Sequence, residues 1–299
     1  MFPIAFDPIY KYPVPEGHRF PMDKYELLPQ QLLREGIAEP SDFFSPEPVD
    51  LAAVYAVHDR DYIDRLLQGK LTAKEMRRIG FTQSPLLAER ELRITNGTVL
   101  GALRAFDTAI SFNIAGGTHH AGFAQGEGFC MINDQAVAAR YLIDQKKAKQ
   151  ILIIDLDVHQ GNGTANIFTG QPSVFTFSVH GQNNYPFRKE ASDLDIGLDD
   201  QTGDDVYLRT LYEVLPALIR RVRPDFIFYQ AGVDILQTDK IGRMACSLAG
   251  CRQRDELVLS LAKTHKIPVQ CSMGGGYSPQ LKYILEAHAN TYRAANQIF

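Results

Sequence analysis

Gln150-Ile-Leu-Ile-Ile-Asp155-Leu-Asp157-Val-His159-Gln-Gly161-Asn162-Gly163 is a short apolar run that ends abruptly in two carboxylates and an imidazole. The run is β-branched and has no polar face, so it reads as a strand buried on both sides. Alternation then predicts that Asp155, Asp157 and His159 point to one side as the chain leaves the core. Two carboxylates flanking a buried Leu are costly unless a cation or hydrogen-bond donors meet them. Two hard oxygen ligands and an imidazole suit a divalent ion of borderline softness, Zn²⁺ first, with Fe²⁺ or Mn²⁺ also accommodated. The bland alternative is a hydrogen-bonded polar strand end.

Similar runs recur at Ser111–Ala115, Ser173–Val179, Asp225–Ala231 and Ile267–Met273, separated by stretches with helical spacing at 133–147, 205–223 and 252–265. All-apolar strands alternating with helices predict an α/β fold, three layers deep, around a central and mostly parallel sheet. Ser278-Pro279 reads as an N-cap followed by Pro at the first helical position. Each run is followed by something polar or glycine-rich: His119-His120, Asp155–Asn162, His180, Asp234 and Gly274–Tyr277. Ligands in open α/β sheets bind beyond the carboxyl ends of the strands, so these five places predict one composite site.

The chain of 299 residues carries 31 basic and 35 acidic side chains, a net charge of −4, which excludes a basic nucleic-acid footprint as its main theme. No apolar stretch is long enough to span a bilayer, and the start Met1-Phe-Pro-Ile-Ala-Phe-Asp lacks the marks of a signal peptide. A cytoplasmic location is the expectation. Cys130, Cys246, Cys251 and Cys271 form no C-x-x-C pair and are expected reduced.

A catalytic divalent ion needs a third protein ligand, and Asp234 in Gly232-Val-Asp234 is the best placed. Hydrolysis at such an ion also needs a base and an acid, roles that His119 and His120 could share. Tyr277, after three glycines, could donate its hydroxyl to a carbonyl oxygen; its bland alternative is packing over the turn. Phe129 and Phe187, each in a loop, could form two walls of an apolar slot. His18, His58, His180, His265 and His288 are expected to be structural or at the surface.

In this order, these motifs resemble the zinc-dependent histone deacetylase family, with its arginase-like fold. The resemblance rests on Gly17-His-Arg19-Phe-Pro-Met22, Val57-His58-Asp-Arg-Asp-Tyr62, His119-His120, Gly128-Phe129-Cys130, Asp155–Gly163, Phe177-Ser178-Val-His180, Gly232-Val-Asp234 and Gly274-Gly-Gly-Tyr277. It covers nearly the whole chain and is most like the class IV branch and bacterial histone-deacetylase-like amidohydrolases. It implies one catalytic domain over 1–299 that hydrolyses N-ε-acyl-lysine with metal-activated water. It implies zinc on Asp157, His159 and Asp234, and catalytic roles for His119, His120, Tyr277, Asp155 and Asn162. Gly128, Phe129, Phe187, Gly275 and Gly276 are implied at the substrate, and Arg19 in an internal channel beyond the metal. A structural potassium ion is implied at Asp155, Asp157, His159, Ser178 and Val179. The implied partner is an acyl-lysine protein or peptide, with a small N-acyl amine such as an acetylpolyamine as the alternative and no membrane or direct nucleic-acid partner. A non-enzymatic acyl-lysine binding module is the alternative of another class. A two-manganese ureohydrolase would need a carboxylate where Leu236 stands. Two departures stand out: Asn162 replaces a second Asp, and Gln160 replaces a frequent His.

Overall fold

The computed structural model describes residues 2–299. Its eight strands are β1 (Ile4–Ala5), β2 (Phe43–Phe44), β3 (Ile110–Asn113), β4 (Ile151–Asp155), β5 (Val174–Gly181), β6 (Leu194–Leu198), β7 (Phe226–Gln230) and β8 (Val269–Ser272). They form one sheet in the order β2-β1-β3-β8-β7-β4-β5-β6. Every pairing is parallel, so the expected mostly parallel sheet is parallel throughout.

The five expected strands are the five longest-buried ones, and the reason is visible in β4. Ile151, Leu152, Ile153 and Ile154 are all buried, because helices cover both faces. Each such side chain stabilises the fold by about 1.5–3 kcal/mol relative to exposure. Strand β6, Leu-Asp-Ile-Gly-Leu, lies at the sheet edge and alternates between half-buried and exposed positions up to the buried Leu198.

The helices are α1 (Lys24–Arg34), α2 (Leu51–Tyr55), α3 (Arg60–Leu67), α4 (Ala73–Ile79), α5 (Pro85–Thr108), α6 (Asp134–Asp144), α7 (Asn162–Phe168), α8 (Asp204–Val222), α9 (Leu248–His265) and α10 (Leu281–Ile298). Alternation along β3 separates two helical layers. Ser111 and Asn113 face α5, where a Cβ on Gly101 would lie 3.2 Å from Ser111 Oγ and one on Gly97 2.9 Å from Asn113 Nδ2. Phe112 points the other way and stacks on Tyr292 of α10, ring centroids 4.2 Å apart. Helix α6 packs beside α5, while α1, α8 and α9 join α10.

The expected cap at Ser278-Pro279 is not where α10 begins. The helix starts at Leu281 after Gln280, and the Ser278 hydroxyl instead meets Thr238 Oγ1 at 2.8 Å. The Ser-Pro signal operates at Ser84-Pro85, where Ser84 Oγ accepts from the Leu87 N–H and Pro85 opens α5. Among the described residues, no helix is long and apolar enough to cross a membrane.

Candidate active site

Strand β4 stops at Asp155, so Asp157 and His159 are not on the strand as alternation alone predicts. They keep to one side for a different reason. Leu156 and Val158 are fully buried, and two successive side-chain turns curl the chain around them. The Asp157 N–H donates to Asp155 Oδ1 at 3.2 Å, and the His159 N–H donates to Asp157 Oδ1 at 3.0 Å. Asp234, beyond β7, accepts from the Val158 N–H through Oδ1 at 2.9 Å, leaving Oδ2 free for the site.

Asp157, His159 and Asp234 are all buried, and one potential ligand atom from each lies within 4.8 Å of the others. His159 Nδ1 is 3.1 Å from Asp157 Oδ1 and 3.0 Å from Asp234 Oδ2. Ligands bound about 2.0–2.1 Å from one tetrahedral ion are spaced roughly 3.3 Å apart, so the three atoms fit a divalent cation. Two glycines hold the space open. A Cβ on Gly232 would come within 2.1 Å of Asp157 Oδ2, and one on Gly275 within 2.1 Å of Asp234 Oδ2. The charges also ask for a cation. Burial and the neighbouring Asp157 carboxylate push the Asp234 carboxyl up to about 7. Burial opposes charge on His159, yet Asp157 and Asp234 outweigh it and raise the imidazole to about 10.

The histidine pair reaches the same place from the end of β3. Gly116 and Gly117 turn the chain with φ of 79° and 74°. Thr118 pins the turn through its N–H to Asp134 Oδ1 at 2.8 Å. His119 Nδ1 meets Asp155 Oδ2 at 2.7 Å, and His120 Nδ1 meets Asn162 Oδ1 at 2.7 Å. The two environments push the imidazoles apart. Burial disfavours charge on His119, but Asp155 and Asp157 prevail and raise it to about 9. Burial, then His119 and His159, hold His120 well below its ordinary value.

Glu127 belongs to this site and was not singled out in the sequence. Asn162 Nδ2 donates to Glu127 Oε1 at 2.5 Å, and Arg78 Nε lies 3.6 Å from Glu127 Oε2. A carboxylate only accepts, so it fixes the Asn162 amide with its NH₂ outward and its carbonyl toward His120. His120 Nδ1 must then carry a proton, leaving Nε2 as the free ring nitrogen. Glu127 is the sole acid between Asp107 and Asp134, which is the sequence signal that could have found it.

A cavity of about 40 Å³ beside the triad is lined by both histidines, Phe129, Gly128 and Tyr277. Burial, then Asp234 and Asp157, hold the Tyr277 phenol well above its ordinary value, so it keeps its proton. A Cβ on Gly128 would strike the His120 ring at 2.7 Å. Phe129 lines this cavity and also the outer mouth, where Phe187 stands 85% exposed at the rim. Gly276 is not among the residues lining this cavity, and a Cβ there would meet Val233 and Ile284.

Arg19 is likewise not in an internal channel. It is exposed and lines the cavities outside the site. The buried cations near the site are Arg90, Lys24 and Arg254, the last donating to Gly232 O at 2.5 Å. Lys24 Nζ donates to Gly274 O at 2.9 Å, and burial lowers the amine to about 8. Its sequence signal is a stripe: Lys24, Leu28 and Leu32 share one buried face of α1 at four-residue spacing.

Residues 18–292 match the histone deacetylase domain. The chain belongs to the histone deacetylase family. Within it, an uncharacterized protein of Picosynechococcus sp. strain PCC 7002 is 43% identical over 298 residues, covering 100% of this chain and 99% of its own. Histone deacetylase 2 of Arabidopsis thaliana is 29% identical, over 87% of this chain and 70% of its own. The acetoin utilization protein AcuC of Staphylococcus aureus is 25% identical, over 90% and 75%. The crystal structure of the HDA15 HD domain shares the fold, with a TM-score of 0.81 at 21% identity over 97% of this chain and 90% of that one.

Of the two departures from the histone deacetylase pattern, Gln160 is buried and ties its loop to the 190–195 segment. Its amide donates to Glu190 O at 2.7 Å and to Asp195 Oδ1 at 2.8 Å. The residues expected around potassium are neighbours: Asp155 is in register with Ser178, Val179 follows, and Asp157 and His159 continue from β4. His58 is structural, with Nδ1 on Gly122 O at 2.9 Å and Nε2 accepting from the Asn133 N–H at 3.0 Å. Leu236 is 2% exposed among core residues.

Proposed function

We propose that this chain is an amide hydrolase that removes acyl groups from N-ε-acyl-lysine, within one catalytic domain spanning 1–299. The observation that carries the reading is the joining of three features at one cavity. These are a buried Asp157–His159–Asp234 cluster, two imidazoles pushed in opposite directions, and a protonated Tyr277. A Zn²⁺ or Fe²⁺ ion on the cluster would supply Lewis acidity toward a carbonyl and toward water.

The protein's own groups supply the rest. Tyr277 donates its hydroxyl toward the oxygen on which charge develops. His120, neutral and with Nε2 free, accepts a proton from the attacking water. His119, held cationic beside Asp155, stabilises the negative charge that builds up and keeps a proton available for the departing amine. Phe129 and Phe187 flank the linear aliphatic chain that carries the amide. Potassium at the β4–β5 ends and a cytoplasmic location are parts of the same proposal.

Tyr277→Phe separates this role from packing. The variant is expected to keep its fold and its metal content while kcat falls by about 10²–10³. An unchanged kcat would leave Tyr277 as a residue packed over the glycine turn. Incubation with lysine peptides bearing acetyl to long-chain acyl groups, read by product mass, identifies the acyl chain. Binding without release of any acid would favour the non-enzymatic module.

A further inference from the structure

We infer that the substrate is an acyl-lysine set among acidic residues of a peptide, selected by a cationic rim around the mouth of the slot. This deepens the reading above and rests on it. Two cavities, of about 340 and 730 Å³, open outward from Phe129 and Tyr277 toward solvent. Five cations line them: Arg19, Arg77, Arg78, Lys240 and Arg243. Among the described residues, no carboxylate lines either cavity. The clustering runs against the net charge of −4 of the whole chain.

The five cations are not equivalent. Arg78 is engaged with Gln125 and Glu127, and Arg243 lies 3.4 Å from Asp200. Arg19, Arg77 and Lys240 are exposed and have no ion-pair partner among the described residues. They belong to three separate segments: Arg77 lines one cavity, Lys240 the other, and Arg19 both. Charges of one sign around a concave opening raise the local concentration of oppositely charged ligands and penalise like-charged ones. The cavities are too wide for a lysyl side chain alone and fit flanking peptide on either side of it. A polyamine, or a lysine-rich tail, meets like charge on the lining of both cavities. The slot narrows to the buried triad, which selects a chain able to present one thin aliphatic arm; this favours a peptide over a nucleic acid.

The test uses three acetyl-lysine peptides that differ only in having Asp, Gln or Lys at the two positions on each side. At low ionic strength, kcat/KM is expected to fall in the order Asp, Gln, Lys, with at least a tenfold span, carried by KM more than by kcat. The span should shrink at 1 M NaCl, where the Debye length is about 3 Å. Arg19→Glu/Arg77→Glu/Lys240→Glu should invert the order, and Lys240→Glu alone should narrow it, which keeps the test open should the triple variant fold poorly. Fluorescence anisotropy of the same labelled peptides provides an affinity ranking that needs no turnover. Equal or Lys-favouring ranks, or displacement of the Asp peptide by an oligonucleotide at lower concentration than by unlabelled peptide, would overturn the inference. Absence of cleavage with the Asp-favouring affinity order intact would count against hydrolysis and leave the rim's selectivity standing.

Discussion

Asn162 has no charge, yet a carboxylate stands one hydrogen bond further out. Glu127 takes the Asn162 NH₂ and thereby sets the tautomer of His120. Considered alone, Asn162→Asp only adds a charge next to the base. Beside Glu127 it places two buried carboxylates in hydrogen-bond contact, which one shared proton must hold together. The expected outcome is at least a tenfold loss of kcat/KM in Asn162→Asp. Asn162→Asp/Glu127→Gln should recover to within about threefold of wild type, because one carboxylate and one amide are again paired; steady-state kinetics on the three proteins checks this coupling. The alkaline limb of the pH–rate profile belongs to His119. It acts protonated and is raised to about 9, with burial opposed and outweighed by Asp155 and Asp157. Activity should therefore hold below that value and fall as pH rises through it. Asp155→Asn removes a raising charge, so the limb should move to lower pH. A cation offsetting Asp157 moves it in the same direction, and kcat/KM measured from pH 6 to 10 reads both.

The elements divide by how local their signals are. Strands β3, β4, β5, β7 and β8 were legible because burial on both faces makes a continuous apolar run. Strands β1 and β2 have two residues each and leave no period to read. The longest helix, α5, carries Gly97 and Gly101, which lower helix propensity. The fold keeps Gly97 because a Cβ there would lie 2.7 Å from Tyr10 Oη. Of the Ser-Pro pairs at Ser84 and Ser278, only the first caps a helix, so Ser84→Ala should cost about 1 kcal/mol in a urea or guanidinium melt. Ser278→Ala should leave the start of α10 unchanged, since its hydroxyl bonds Thr238 and no helix terminus. The triad and the histidine pair were legible because each follows a strand directly. Lys24 and Glu127 were not, because their partners Gly274 and Asn162 lie 250 and 35 residues away along the chain.

At the scale of the whole molecule, a parallel sheet with two helical layers collects the ends of β3, β4, β7 and β8 into one buried site, while His180 on β5 turns to Ser178 Oγ at 2.9 Å. Composition reports only the sum of charge, −4, and hides the separation between an acidic interior at the triad and a cationic rim outside it. Arg19 belongs to that rim because the segment before α1 runs across the mouth, whereas Lys24 begins the helix and points inward. The central claim is that amide hydrolysis depends on a divalent ion held by Asp157, His159 and Asp234. The direct measurement is metal content per chain together with acid released from an acetyl-lysine peptide, for wild type and Asp157→Ala, each stripped with chelator and reloaded with Zn²⁺ or Fe²⁺. The account predicts one ion per chain and acid release in reloaded wild type, neither after stripping, and neither in Asp157→Ala under any loading. Full metal occupancy with undiminished release in Asp157→Ala would contradict it.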